Sequence, residues 1–193
     1  VKKWWGLIAG VDEAGRGALF GPLVAAAVIL DPEKPIEGLK DSKKLSPGRR
    51  EKLFYEIVEK AISWNFSLGT LEDIEENNVL RATLHAMSMA VRGLSPSPDL
   101  VLVDGPYPPP DLNMEVRPII GGDRTEPSIS AASIVAKVIR DTIIVRMSEM
   151  FSGYKLGQNK GYGTVYHRNF LDKFGPSPFH RTTFVLKYLR GAK

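Results

Sequence analysis

Two hydrophobic periods alternate along the chain and mark out most of its elements. Residues 7–11 and 23–30 are short apolar runs of strand length, and the second is apolar enough for burial on both faces. Only a turn ending in Gly21-Pro22 separates them, which predicts an antiparallel hairpin. Ser46-Pro47 opens a helix to about Ala61, with serine as N-cap and proline at the first position. Leu53, Ile57 and Ala61 supply its apolar stripe. Residues 64–71 read as a third strand. A helix follows over 78–94, with Leu80, Leu84, Met87 and Val91 on one face. Leu100–Asp104 is a short, almost wholly apolar strand ended by Gly105-Pro106, and 116–120 is a fifth candidate. Residues 130–150 form a long helix. Early hairpin pairing followed by strand–helix alternation predicts one α/β fold, a mixed sheet covered by helices.

Composition narrows the class. A chain of 193 residues suits one domain with an appended terminal element, and we divide it into a core over 1–150 and an extension over 151–193. There is no cysteine, which excludes a disulfide framework and thiolate-bound zinc or iron–sulfur. That fits a reducing cytoplasm, the expected location. No apolar run approaches the roughly 20 residues needed to span a bilayer, and residues 1–10 lack a signal-peptide layout. No membrane association is expected.

Charge is divided unevenly. Residues 151–193 hold eight Lys/Arg against the single acid Asp172, leaving 18 basic and 21 acidic residues in 1–150. An acidic body with a basic end is what a nucleic-acid partner favours. A merely solvated basic tail is the plainer alternative.

Four acids fall in suggestive places. Asp12-Glu13 stands where the first strand runs into Ala14-Gly15-Arg16-Gly17, and Asp104 ends the fourth strand. Asp141 lies on the long helix in line with Ile134, Val138 and Val145. A carboxylate on an apolar stripe is costly to bury unless paired or bound to a cation. Oxygen-only ligands suit hard cations such as Mg²⁺ or Mn²⁺. Two such ions about 4 Å apart can activate a water and stabilise the leaving oxygen in phosphodiester cleavage. Each acid has a plainer reading: Asp12 and Asp104 as turn formers before glycine, Asp141 as the partner of Lys137 or Arg140. Neighbouring strand residues also point to opposite faces, so Asp12 and Glu13 are expected to share a site only if the strand bends.

Gly15-Arg16-Gly17 lets backbone approach a ligand closely and offers a guanidinium for a sugar edge or phosphate, but matches neither a P-loop nor a dinucleotide spacing. In the basic extension, Lys155 and Lys160 are interleaved with Tyr154, Tyr162 and Tyr166, a mixture suited to phosphates and flat sugar or base faces. Tyr166 reads as packing on Phe170, whereas Tyr162 in Gly161-Tyr162-Gly163 is the better contact candidate. His85, His167 and His180 are too scattered for a metal motif.

Several longer segments occur together: Gly10-Val11-Asp12-Glu13-Ala14-Gly15-Arg16-Gly17, Gly21-Pro22-Leu23-Val24-Ala25-Ala26-Ala27, Asp41-Ser42-Lys43-Lys44-Leu45-Ser46, Val103-Asp104-Gly105 and Gly122-Asp123. Ser130-Ala131-Ala132-Ser133-Ile134-Val135-Ala136-Lys137-Val138-Ile139-Arg140-Asp141, Gly161-Tyr162-Gly163-Thr164 and Gly175-Pro176-Ser177-Pro178 continue the series. In combination they resemble the bacterial type 2 ribonuclease H (ribonuclease HII) family nearly end to end.

The resemblance implies a ribonuclease H-like fold: a mixed five-stranded sheet flanked by helices, with a C-terminal helical extension. It implies an endonuclease that cleaves RNA in RNA–DNA hybrids, and 5′ of single ribonucleotides in duplex DNA, with two divalent cations, Mg²⁺ or Mn²⁺; a monomer is expected. By position it implies that Asp12, Glu13, Asp104 and Asp141 bind metal, that Gly15, Arg16 and Gly17 sense the 2′-hydroxyl, that Tyr162 packs on the deoxyribose beyond the junction, and that Lys43 and Lys44 contact phosphate. Type 3 relatives lack the Gly-Arg-Gly arrangement and carry an extra N-terminal domain, so type 2 is preferred. Two other readings remain: a DNA-directed nuclease or strand-transfer enzyme with the same acidic site, and a non-catalytic binding module, which leaves the four acids without a purpose.

Overall fold

The computed structural model describes residues 6–39 and 45–189. Five strands form one sheet: β1 (Ile8–Ala14), β2 (Leu23–Ile29), β3 (Ser63–Gly69), β4 (Leu100–Asp104) and β5 (Glu115–Ile119). Their order is β3-β2-β1-β4-β5. β1 pairs antiparallel with β2 and parallel with β4; β2–β3 is antiparallel and β4–β5 parallel. The expected hairpin and the mixed five-stranded sheet are therefore present. All seven residues of β2 are buried, as its unbroken apolar run requires.

Helices cover both faces. On one lies α2 (Leu71–Arg92), whose Ile74, Ala86, Met87 and Val91 pack on Ala9, Val11, Ala25 and Val103. On the other lie α1 (Pro47–Lys60) and α4 (Pro127–Ser148), where Leu53, Ile57, Ala132 and Val135 meet Val24, Ala26 and Val28. Ser46 caps α1 by accepting from the Arg49 N–H, with Pro47 in the first turn, as read from the sequence.

The α2 boundary differs from expectation. The helix starts at Leu71, behind a capping box between Thr70 and Asp73, rather than at residue 78. Asn78 breaks it with φ 68°, and its side chain accepts from the N–H groups of Leu80 and Arg81. The kink splits the apolar stripe, so a single helical period fits only the second half. Correspondingly, β3 ends at Gly69.

Small residues bring α4 onto the sheet. A Cβ at Gly10 would lie 2.0 Å from the Ser128 carbonyl carbon; only glycine lets the helix cross β1 at this height. The segment from Ile129 to Ala136 is buried throughout. This crossing sets Ser133 and Lys137 above the end of β1.

After α4 the chain forms α5 (Leu156–Asn159), α6 (Val165–Phe174) and α7 (Thr182–Leu189); the short α3 (Gly122–Thr125) precedes α4. Leu156 joins Phe20 and Ile144, and Leu171 and Val185 join Leu19. The residues after α4 are thus packed on the segment between β1 and β2. Among the described residues no helix is long and apolar enough to cross a membrane.

Candidate active site

A cleft of about 420 Å³ opens at the end of β1, lined by Asp12, Glu13, Gly15, Arg16, Gly17, Arg50, Asp104, Ser133, Lys137 and Tyr162 among others. The acids reach it by topology. The β1–β4 ladder ends at Val11↔Val103, while β1 continues beside β2 to Ala14↔Val24. The overhang exposes Asp12 and Glu13 beside Asp104, the last residue of β4.

A shared site for Asp12 and Glu13 is expected only with a bend in the strand, yet both line one cleft without an interruption of the register. β1 keeps its register through both residues, and Asp12 shares its face with Gly10 and Ala14, toward α4. Glu13 starts from the other face and still lines the cleft, beyond the last residue of β1 that pairs with β4.

Asp12 is 4% exposed. One of its carboxylate oxygens accepts from the Glu13 N–H at 2.7 Å, and Ser133 also hydrogen-bonds to it. Burial above all, then the charges of Glu13 and Asp104, push its carboxyl well above the usual range. Burial also raises Glu13, opposed by Arg16 and reinforced by Asp104. Arg16 Nη1 stands 3.2 Å from Glu13 Oε1 and is half exposed. Asp104 accepts from the Asp123 N–H at 3.4 Å.

Asp141 stands apart. It faces an adjoining depression with Arg50, Arg146 and Lys160, and Lys137 Nζ holds its carboxylate at 2.7 Å. The plainer pairing with Lys137 is therefore present, whereas Arg140 turns away. Among the described residues no three acid or histidine side chains close on a common point as a ready cation site. The donor chemistry still fits a hard cation: oxygen donors only, crowded until two of them hold protons more tightly than usual.

The two glycines beside Arg16 differ. Gly15 has φ +92°, and a Cβ there would fall 1.8 Å from Arg140 Nε. A Cβ at Gly17 would meet nothing within 4 Å, so the protein leaves the space above Gly17 open. Arg140 is fully buried and donates to the carbonyls of Pro22, Lys160 and Phe20. Burial lowers its pKa. Arg181, equally buried, donates to the carbonyls of Gly21 and Arg16, and burial, followed by Arg140, lowers it to about 9.

Tyr162 enters from the extension. Its carbonyl accepts from the Thr164 N–H and pairs with His167 Nδ1 at 3.0 Å. Its ring lies 5.4 Å from Lys137 Nζ and 5.2 Å from Arg140 Cζ. Tyr166 stacks on Phe170 as expected, and His85 is exposed on α2. Lys43 and Lys44 lie outside the described residues.

Sequence reasoning missed Arg50, Ser133 and Lys137 as cleft residues, and Arg140 and Arg181 as supports. Lys137 carried a signal, since it lies one helical turn before Asp141. Arg50 carried none; only the packing of α1 against α4 brings it here. The histidines form no metal motif, but His167 and His180 meet in the interior, 13 residues apart.

The family model "Ribonuclease HII" matches residues 9–187. Ribonuclease HII of Idiomarina loihiensis is 50% identical over 178 residues, covering 92% of this chain and 95% of that protein. Ribonuclease HII of Caldicellulosiruptor saccharolyticus is 47% identical over 190 residues, covering 98% and 92%. Among solved structures, ribonuclease H2 from Pyrococcus horikoshii OT3 superposes with TM-score 0.75 at 30% identity, covering 95% of this chain and 97% of that one.

Proposed function

The chain belongs to the ribonuclease HII family, and from that premise we propose that this endoribonuclease cuts RNA in RNA–DNA hybrids and 5′ of single ribonucleotides in duplex DNA. The products carry 3′-hydroxyl and 5′-phosphate ends. One observation carries the reading: Asp12, Glu13 and Asp104 share a single cleft with Arg16, Gly17 and Tyr162, so cation ligands and groups suited to reading a sugar stand side by side.

In this reading Asp12, Glu13 and Asp104 hold divalent cations, Mg²⁺ or Mn²⁺, with Asp141 as the fourth acid. Two bound cations would supply an activated water and charge stabilisation at the leaving 3′ oxygen. The protein supplies the rest. Ser133 and the Glu13 N–H orient the Asp12 carboxylate. Arg16, leaning on Glu13, keeps donors free for a sugar or phosphate oxygen. The open space above Gly17 admits the 2′-hydroxyl, the group by which a protein tells RNA from DNA. Tyr162 offers a flat face to the next sugar. Arg50 and Lys137 bring positive charge to the cleft wall, and the basic extension adds sequence-independent attraction to phosphates. The proposed active form is a monomer, and the proposed location is the cytoplasm.

The test is cleavage of a duplex holding one ribonucleotide, in Mg²⁺ and in Mn²⁺, beside an all-DNA duplex of the same sequence. Asp12→Asn and Asp104→Asn are each expected to lower the rate at least about 100-fold, as loss of preorganised charge at a reaction centre does. Unchanged cutting by Asp12→Asn sinks the site assignment. Equal cutting of the all-DNA duplex sinks the substrate assignment.

A further inference from the structure

His167, near the start of α6, is fully buried, and His180, between α6 and α7, is 4% exposed. Their Nε2 atoms are 2.9 Å apart. Every ring nitrogen has a partner, and one of those partners fixes all the protons. The Ser177 N–H can only donate, and it points at His180 Nδ1 at 3.0 Å. His180 Nδ1 is therefore the acceptor, and in the neutral ring the proton sits on Nε2. That proton is donated to His167 Nε2. His167 must then carry its own proton on Nδ1, which faces the Tyr162 carbonyl at 3.0 Å. The order of donation runs one way, from Ser177 through both rings to Tyr162.

The surroundings favour two neutral rings. Tyr154 packs on both, with its hydroxyl turned to the Gly175 carbonyl, and Phe20 packs edge-on against His180. The guanidinium of Arg181, next in the chain, is committed to the carbonyls of Gly21 and Arg16. No carboxylate hydrogen-bonds to either ring among the described residues. A second proton on His180 would set N–H against the Ser177 N–H and leave the Ser177 hydroxyl, 2.9 Å from Nδ1, as its one acceptor among the described residues; one on His167 would set N–H against N–H. Burial lowers both pKa values, that of His180 to about 4, helped by His167.

Two aliphatic side chains would fill this space without the cost of burying imidazoles. What they could not do is donate to the Tyr162 carbonyl. We propose that His167 and His180 are positioning residues: a one-way, neutral imidazole relay that fixes the backbone at Tyr162 and so the angle at which its ring meets the substrate sugar. This rests on the reading of Tyr162 given under Proposed function.

The test has two arms on the full-length protein. Long-range ¹H–¹⁵N correlation spectra of the unmodified protein at pH 6 are expected to show His180 protonated on Nε2 only and His167 on Nδ1 only. The reverse tautomers, or a doubly protonated ring, overturn the relay. In the second arm, kcat and KM are measured on the single-ribonucleotide duplex. His167→Leu is expected to cost about fivefold to tenfold in kcat/KM, the worth of one hydrogen bond. His167→Asn, whose amide can donate in place of Nδ1, is expected to recover most of it. In a Tyr162→Ala background His167→Leu is expected to cost nothing more. An equal loss in both backgrounds overturns the positioning role while leaving Tyr162 in place. If Tyr162→Ala alone changes nothing, the reading of Tyr162 falls and the role of the pair with it. Should His167→Leu fail to fold, the spectra and the His167→Asn pair of backgrounds still decide.

Discussion

Asp12 is held under electrostatic stress. Its carboxyl is raised well above the ordinary 3.8, by burial first and by Glu13 and Asp104 next. An acid whose folded pKa lies above its unfolded value stabilises the fold below the unfolded value, and that stability is lost as pH rises through the folded one. As pH rises above the unfolded value, the metal-free protein therefore carries a growing cost from this group. Asp12→Asn is expected to raise the melting temperature of metal-free protein at pH 7, by about 2–4 °C for each 1 kcal/mol relieved. The gap should close as pH falls toward 4, and a variant melting below the parent at pH 7 would contradict the charge argument. The glycines beside Arg16 give a second contrast. Gly15→Ala puts a methyl into Arg140 at a φ of +92° and should cost about 1–3 kcal/mol in strain alone. Gly17→Ala should melt like the parent yet cleave the single-ribonucleotide duplex more slowly, because the methyl occupies space only a substrate would use. A destabilised Gly17→Ala would show that the space is not open.

At the scale of elements, the site depends on how α4 crosses β1. Gly10→Ala sets a Cβ 2.0 Å from the Ser128 carbonyl carbon, so the helix must lift. We expect a cost of about 3 kcal/mol from overpacking and a loss of up to about 100-fold in kcat, since Ser133 and Lys137 ride on that helix and displacements of an ångström carry such penalties. Parallel losses of stability and kcat, measured by thermal melting and steady-state cleavage, are the expected signature. The same elements mark what the chain revealed in advance. The helix from Pro47, the hairpin of β1 and β2 and the short β4 were legible because cap, turn and apolar run mark them, although β1 runs on to Ala14, three residues past its apolar run. The first turns of α2 were not, because Asn78 interrupts the period. Asp12, Glu13 and Asp104 were legible as acids at strand ends. Their distance from Asp141 was not, because a four-residue spacing on a helix says nothing of the height at which that helix crosses the sheet. The His167–His180 contact follows no helical or strand period at all; a loop folding back on α6 creates it.

Across the whole molecule, charge and connectivity act together. Lys155 and Lys173 are exposed on the basic extension. Their joint replacement by alanine should weaken substrate binding without regard to sequence. It should also reduce the dependence of log K on log salt by about 2, as counterion release predicts for two lost phosphate contacts. An unchanged salt slope would place these lysines away from the nucleic acid. The extension also reaches inward. Arg140 and Arg181 are buried guanidinium groups that donate to carbonyls of the β1–β2 segment, and the Arg181 N–H donates to the Leu19 carbonyl. The segment that follows the first strand is therefore completed by residues some 160 positions later, as Arg181 to Gly21 shows. During synthesis on the ribosome, Asp12, Glu13 and Asp104 emerge first and Arg181 well after them. A growing chain thus owns its acids before it owns the support for the loop beside them. The carbonyls of Arg16 and Gly21 gain their guanidinium donor only once the chain has been made past Arg181.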